Sequence, residues 1–486
     1  MLFNSYIFVL FFLPLALIFY FGLNHQGRQT IAKLVLTGMS LWFYAYFHIS
    51  YLFLIIGSVL FNFVCSKLLL RQWGSGIRKG LLTFGILANG GAIFYFKYFN
   101  FFIDNVNLLF KSGFTVGEIL MPLGISFFTF QQISYLVDSY RGETKEYGFI
   151  DYALFVTFFP QLVAGPIVLH QEMIPQFNDP VRKKLDQDKL ARGIWMFSIG
   201  LFKKVMLADV LGQGVEWGFD AVSVLTGPEV VIVSLLYTLQ LYFDFSGYCD
   251  MACGIANMFH LDLPVNFLSP YKSASIEEFW GRWHITLGRF LRKYVYFPLG
   301  GSRKGTVRTF FNIIIVFLVS GIWHGAAWTF IIWGLLHGAG SILYRCFRSV
   351  WDRFPLFLRR AGTFVFLQLT WILFRADSLS DAAIMYSKLF RPWEFRVSGE
   401  LLGSFDLLEF TYIEDHVSFL NGVAAQYPWG HMMIVIVLGI LLIFLPKNCQ
   451  EKKFVPTVKN AVGSMVLLIW SLLSFSGLSV FLYFNF

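Results

Sequence analysis

Apolar runs separated by short polar stretches organise this chain from its start. Tyr6 to Leu23, Ile31 to Phe47, Tyr51 to Leu70 and Leu81 to Phe96 are the first four runs. At about 1.5 Å per residue, each helix reaches across most or all of the roughly 30 Å of hydrocarbon in a bilayer. Counting later runs in the same way predicts about 10 to 12 crossings. No basic segment precedes the first run and no small-residue cleavage site follows it, so it reads as a retained helix.

From Met121 to Leu336 the apolar pattern is broken by Pro122, Gly124, Asp138, Pro160, Gly165, Pro166, Asp244, Gly247 and Asp250. Broken helices at membrane depth are tolerated only where protein covers them or water reaches them, so the functional centre is expected in this middle third. Within it, Ser275 to Tyr294 has a helical period. Ile276, Phe279, Trp280, Trp283, Leu287, Phe290, Leu291 and Tyr294 form an apolar stripe, and Arg282, Arg289 and Lys293 share another face. This predicts one amphipathic helix, lying at the interface or lining a vestibule.

Composition agrees with the pattern. Of 486 residues, 57% are hydrophobic and 14% charged, against about 25% charged in soluble domains. The fold class expected is an all-α polytopic membrane protein in contact with membrane lipid. The net charge of +9 reads as loop bias and does not point to nucleic acid. Basic clusters at Arg28/Lys33, Lys67/Arg71/Arg78/Lys79, Arg345 to Arg360 and Lys447 to Lys459 are placed on the cytoplasmic side. Arg391 to His431 has six acidic and two basic residues and is expected outside, as are both termini if Ala461 to Tyr483 crosses once.

Five cysteines show no metal spacing: Cys249 and Cys253 are four apart, and no second Cys or His pair completes a site. Neither a structural metal nor a disulfide framework is expected. No 20 to 50 residue repeat is evident.

Candidate chemistry centres on His324, in a run without Asp, Glu, Lys or Arg between Arg308 and Arg345. An ionisable ring is costly in lipid and marks a functional site, although a histidine hydrogen-bonded between packed helices is the competing reading. The neutral ring is the form a general base requires. His284 reads either as a site residue or as a polar group reaching the interface. His337 follows His324 by 13 residues, roughly 220° around a continuous helix, and reads as structural. Asp244 could orient an imidazole or pin a broken helix, and both readings stay open. The turn Pro298 to Lys304 has two glycines and two cations but lacks GxxxxGK[ST] and follows no strand, so it reads as a basic turn near headgroups or near a donor's phosphates. No GxSxG elbow supports serine hydrolysis, and the asymmetry of the chain argues against a transporter.

Six stretches give the pattern a family likeness. They are Met121–Phe130 (MPLGISFFTF), Phe158–Ile167 (FFPQLVAGPI), Leu241–Tyr248 (LYFDFSGY), Phe279–Thr286 (FWGRWHIT), Val319–Gly325 (VSGIWHG) and Trp371–Ala376 (WILFRA). In these the chain resembles the membrane-bound O-acyltransferase (MBOAT) family, in the branch of the alginate O-acetyltransferase membrane subunit. The resemblance covers nearly the whole chain. It implies a single membrane domain, 1–486, with N-terminal helices over 1–115, a catalytic core over 116–345 and C-terminal helices over 346–486. It also implies outer and inner funnels that meet at a tunnel, with broken and interfacial helices around it.

The family's catalytic histidine corresponds to His324 and its second histidine to His284. Asp244, Ser320 and Trp323 are then expected to orient or touch substrate. Arg289, Arg292, Lys293, Arg303 and Lys304 are expected to meet donor phosphates. One departure stands out: the branch has an acid where this chain has Lys293. The implied reaction moves an acetyl group from a cytoplasmic thioester, acetyl-CoA, to an acceptor outside a bacterial inner membrane. The expected product is O-acetylated exopolysaccharide, formed through an extracytoplasmic transferase partner, with no bound cofactor. D-alanyl transfer to teichoic acid and a non-catalytic export role are the rival readings.

Overall fold

The computed structural model describes residues 1–117, 119–417, 426–475 and 481–482, and among these it contains helices, turns and loops but no strand. A spanning chain must satisfy its backbone internally, and the helix does so within one segment. Seven described helices are long and apolar enough to cross a membrane: Ile7–His25, Ser50–Leu70, Gly227–Met258, Thr306–His324, Trp328–Trp351, Leu356–Arg375 and Gly430–Glu451. Gln29–Ala45 and Ile125–Arg141 are helices of 17 residues each. The expected crossing Ala461 to Tyr483 and the expected outside stretch Arg391 to His431 lie partly outside the described residues.

The chain divides into two compact units, residues 1–201, 248–265 and 453–486 in the first and residues 202–247 and 266–452 in the second. In the first, a cluster of rings including Phe8, Phe12, Phe43 and Phe159 forms the apolar centre; Phe12 meets Phe159 edge-on at 5.3 Å. Buried polar groups join its helices. Asn62 and Asn89 exchange amide hydrogen bonds of 3.1 and 2.7 Å between neighbouring helices, and such reciprocal pairs hold helices together in lipid. Gly193 and Gly254 let two backbones touch. A Cβ on Gly254 would lie 2.7 Å from the Gly193 carbonyl oxygen.

The second unit is built on a helical hairpin, Thr306–His324 followed by Trp328–Trp351. Its arms cross at glycines. A Cβ on Gly321 would collide with the Phe330 carbonyl oxygen and lie 3.3 Å from the Gly334 Cα, and one on Gly334 would collide with the Phe317 carbonyl oxygen. Small residues allow this approach, and the gain is van der Waals contact along the crossing. Between the arms, Gly325 is extended, and a Cβ there would run into the Phe330 ring. The first arm therefore stops at His324.

The amphipathic helix expected over Ser275 to Tyr294 is instead two short helices, Ile276–Arg282 and Ile285–Leu291, followed by a wider helical turn, Arg292–Tyr296. The period of the sequence is real on either side, but His284 at the junction adopts a left-handed backbone, φ 45° and ψ 50°. Such a conformation is unfavourable for a non-glycine residue and persists only where its surroundings fix it. Here the Leu268 amide donates to the Arg282 carbonyl (3.0 Å) and the Ile285 amide to the Asn266 carbonyl (3.1 Å). These two bonds hold the break open against the loop residues 266–268.

Replacing Gly321 with valine would force the crossing apart against backbone atoms that have little room to give. Overpacking costs about 1–3 kcal/mol even where side chains can shift. Gly321→Val is expected to lower the thermal unfolding temperature of the detergent-solubilised protein clearly; an unchanged transition would refute the close crossing.

Candidate active site

His324 ends the first arm of the hairpin, is buried, and is enclosed by rings. Trp333 presents an edge to it at 5.2 Å and 89°, Phe374 lies at 5.0 Å, and its own neighbour Trp323 at 4.8 Å. The two histidines singled out in the sequence meet: the His284 and His324 ring centroids are 6.5 Å apart. The helix break explains this meeting, because the reversal at His284 directs its ring toward the end of the hairpin arm.

Asn266 fixes the chemistry of His284. Its side-chain oxygen accepts from the Thr286 amide (3.2 Å) and the Thr286 hydroxyl (2.9 Å), so that atom is an acceptor. It lies 3.2 Å from His284 Nδ1, which must then carry the proton and donate. The basic lone pair of the neutral ring is left on Nε2. Burial lowers the pKa of the imidazole from 6.5 to about 3, so the ring is neutral at physiological pH.

A cavity of about 400 Å³ reaches this part of the second unit. Ser320, one turn before His324, lines it together with Trp280, Gly288, Arg292, Tyr296 and Arg345. Arg345 is engaged by Glu277 at 3.0 Å. Of the five cations expected near a donor's phosphates, Arg292 lines this cavity. The other four are placed differently. Lys293 lies over the Tyr294 ring at 5.2 Å, Arg289 is half-buried, and Arg303 and Lys304 are exposed beyond the glycine turn. That turn depends on left-handed Gly300 and Gly301, and Asn312 ties the Gly301 carbonyl to the hairpin at 2.8 Å.

Asp244 was open to two readings, and the structure gives it a buried cation. Lys204 Nζ lies 2.7 Å from the Asp244 carboxylate and 2.8 Å from Asp209. Burial alone would lower the Lys204 pKa, but the two carboxylates outweigh it and hold the ammonium above its ordinary range. The helix that bears Asp244, Gly227–Met258, runs unbroken, so the carboxylate pins no broken helix there; what it holds is Lys204.

The expected separation of His337 from His324 needs correction. The break at Gly325 removes the continuous helix on which 220° was reckoned, and the two histidines sit on opposite arms. Trp333 touches both rings, at 5.2 Å to His324 and 4.7 Å to His337. Trp280, Trp333, Asn266 and Lys204 were not singled out by sequence reading. The tryptophans were counted as apolar positions, and a lone Asn or Lys gives no signal until its partners are in place.

Removing the cation takes a charge partner from both carboxylates, Asp244 buried and Asp209 partly exposed. Lys204→Met leaves Asp244 buried beside Asp209, at a cost of about 3–5 kcal/mol. A sharply lower unfolding temperature is expected, partly restored by adding Asp244→Asn. Equal stability of the single variant and the wild type would contradict the pairing.

Relatives identify the arrangement. The family described as MBOAT, membrane-bound O-acyltransferase family, matches residues 40–377, which include His284, Ser320, His324 and His337. The chain is 39% identical to the peptidoglycan O-acetyltransferase of Helicobacter pylori over 100% of its own length and 98% of that protein. It is 40% identical to the probable alginate O-acetylase AlgI of Azotobacter vinelandii over 82% of this chain and 80% of that one. Over 46% of its length it is 28% identical to the teichoic acid D-alanyltransferase of Streptococcus thermophilus, covering 57% of that protein. The buried histidines, the broken helix and the hairpin thus belong to a multi-pass membrane enzyme: the chain is a member of the membrane-bound O-acyltransferase family and an O-acyltransferase.

Proposed function

We propose that this enzyme takes acetyl groups from acetyl-CoA on the cytoplasmic side of a bacterial inner membrane and delivers them to a polysaccharide acceptor outside, with His324 as general base. The observation that carries this reading is one placement. His324 adjoins His284 and stands one turn from Ser320, which lines a cavity that also bears Arg292. A thioester whose phosphates met Arg292 could extend its acyl end along the cavity toward Ser320.

Neutral His324 removes the proton of the attacking hydroxyl as its oxygen bonds to the acyl carbon. The carbon–sulfur bond breaks, and the imidazolium returns the proton to the leaving thiolate. A base so placed typically contributes about 10² to 10⁴-fold. His284, with its lone pair on Nε2, can accept from the acceptor hydroxyl and hold it in line, and the Ser320 hydroxyl can donate to the developing oxyanion. Trp323 and the other rings keep water from the thioester. Asp244 acts at a remove by pinning Lys204, and Lys293 is left to partner contacts.

Two polymers come into question, and alignment favours one. The peptidoglycan relative matches the whole chain, whereas the alginate relative matches 82% of it. We therefore place peptidoglycan ahead of an exported polysaccharide such as alginate, reached directly or through an extracytoplasmic transferase partner that passes the acetyl group on. D-alanyl transfer has the thinner support of a 28% match over less than half the chain.

In cells carrying His324→Ala, the protein is expected at normal abundance in the membrane while ester-linked acetyl on the polymer disappears. Mass analysis of groups released by mild base separates acetate from D-alanine and assigns the polymer. Acetylation retained in the variant would remove His324 as base.

A further inference from the structure

His337 is fully buried in the second unit and plays no part in the mechanism above, yet both of its ring nitrogens are engaged. The Trp280 indole N–H lies 3.3 Å from Nδ1. An indole nitrogen can only donate, so Nδ1 must offer a lone pair and the proton of the neutral ring sits on Nε2. Nε2 is 3.1 Å from the Thr370 hydroxyl, which in turn donates to the Leu367 carbonyl at 2.9 Å. Every proton along Trp280, His337, Thr370 and Leu367 thus has an assigned direction, set by the indole at one end and a carbonyl at the other.

The chain of bonds joins three elements that meet at the site: the short helix Ile276–Arg282, the second hairpin arm and the helix Leu356–Arg375. Trp280 lines the cavity, where it meets Phe317 at 5.3 Å and Trp333 at 5.9 Å. Trp333 is held between His337 at 4.7 Å and Trp371, on which it stacks at 5.8 Å and 20°, and its edge meets the His324 ring. Trp333 is thus a ring neighbour shared by His324 and His337.

We propose that His337 is a positioning residue for acyl transfer: by accepting from Trp280 and donating to Thr370 it fixes the indole wall of the cavity and, through Trp333, the orientation of His324. This rests on His324 being the base. A base displaced by a fraction of an ångström keeps its substrates but loses rate, since alignment is what a positioned group contributes.

The test uses the full-length protein in membranes, following transfer of labelled acetyl from acetyl-CoA to polymer. Trp280→Phe removes the donor and keeps a ring, His337→Phe removes the acceptor, and His337→Asn keeps an amide oxygen near the position of Nδ1. Trp280→Phe and His337→Phe are each expected to lower kcat about tenfold or more with KM for acetyl-CoA within about twofold. The double variant should be no slower than the slower single one, because both break the same bond. His337→Asn should recover most of the rate. If His337→Phe does not accumulate, the contrast between Trp280→Phe and His337→Asn decides alone. Wild-type kcat in Trp280→Phe, strictly multiplicative losses in the double variant, or a rise in KM alone would overturn the proposal. His324→Ala in the same assay separates the two claims: activity there removes the base itself, whereas an inactive His324→Ala beside fully active Trp280→Phe removes only the positioning role.

Discussion

The crossing of two glycines, Gly321 against Gly334, is the contact on which the site depends. Because neither carries a Cβ, the hairpin arms approach until backbone meets backbone, and the separation sets where everything one turn away must lie. His324 is three residues beyond Gly321 and Trp333 immediately precedes Gly334. The same contact that joins the arms therefore brings ring to ring. A larger residue at the crossing would add apolar surface but would move the base relative to the cavity. In lipid, where helices gain little from hydrophobic burial against one another, such close contact supplies much of the adhesion.

A second constraint is the expense of polar groups in these surroundings. Three buried polar side chains near the site have defined partners: Asn266 for His284, Trp280 and Thr370 for His337, Asp244 and Asp209 for Lys204. Leaving such a group unmatched would cost more than the net gain of an ordinary hydrogen bond. The tautomers of His284 and His337 are thereby dictated. A fixed tautomer suits general-base chemistry, where the lone pair must already point at the proton it will take.

How much of this was legible in the sequence differs from residue to residue for physical reasons. The charge-free run of 36 residues between Arg308 and Arg345 makes its two imidazoles, His324 and His337, conspicuous, and the stretch VSGIWHG marks His324 of the two. The all-helical membrane fold was legible for the same reason, since apolar length is a property of the chain alone. The break at His284 was not. Its neighbours obey a helical period, and what overrides it is hydrogen bonding to residues 266–268, about 16 positions earlier. Asp244 likewise could be recognised as costly, but its partner Lys204 lies 40 residues away, and a carboxylate looks the same before a lysine as before a histidine.

His337 shows what period arithmetic assumes. The 220° between it and His324 holds only if the helix runs on. Gly325 sits between them in a sequence that also reads WHG, so one stretch carries both the chemistry and the break. Once the arm ends at His324, residues on the return arm are counted from the crossing and not from the helix start. By that count Gly334 faces Gly321, Trp333 comes beside His324, and His337 lies one turn further on against the same indole. The geometry that made the two histidines look unrelated is what places a single tryptophan between them.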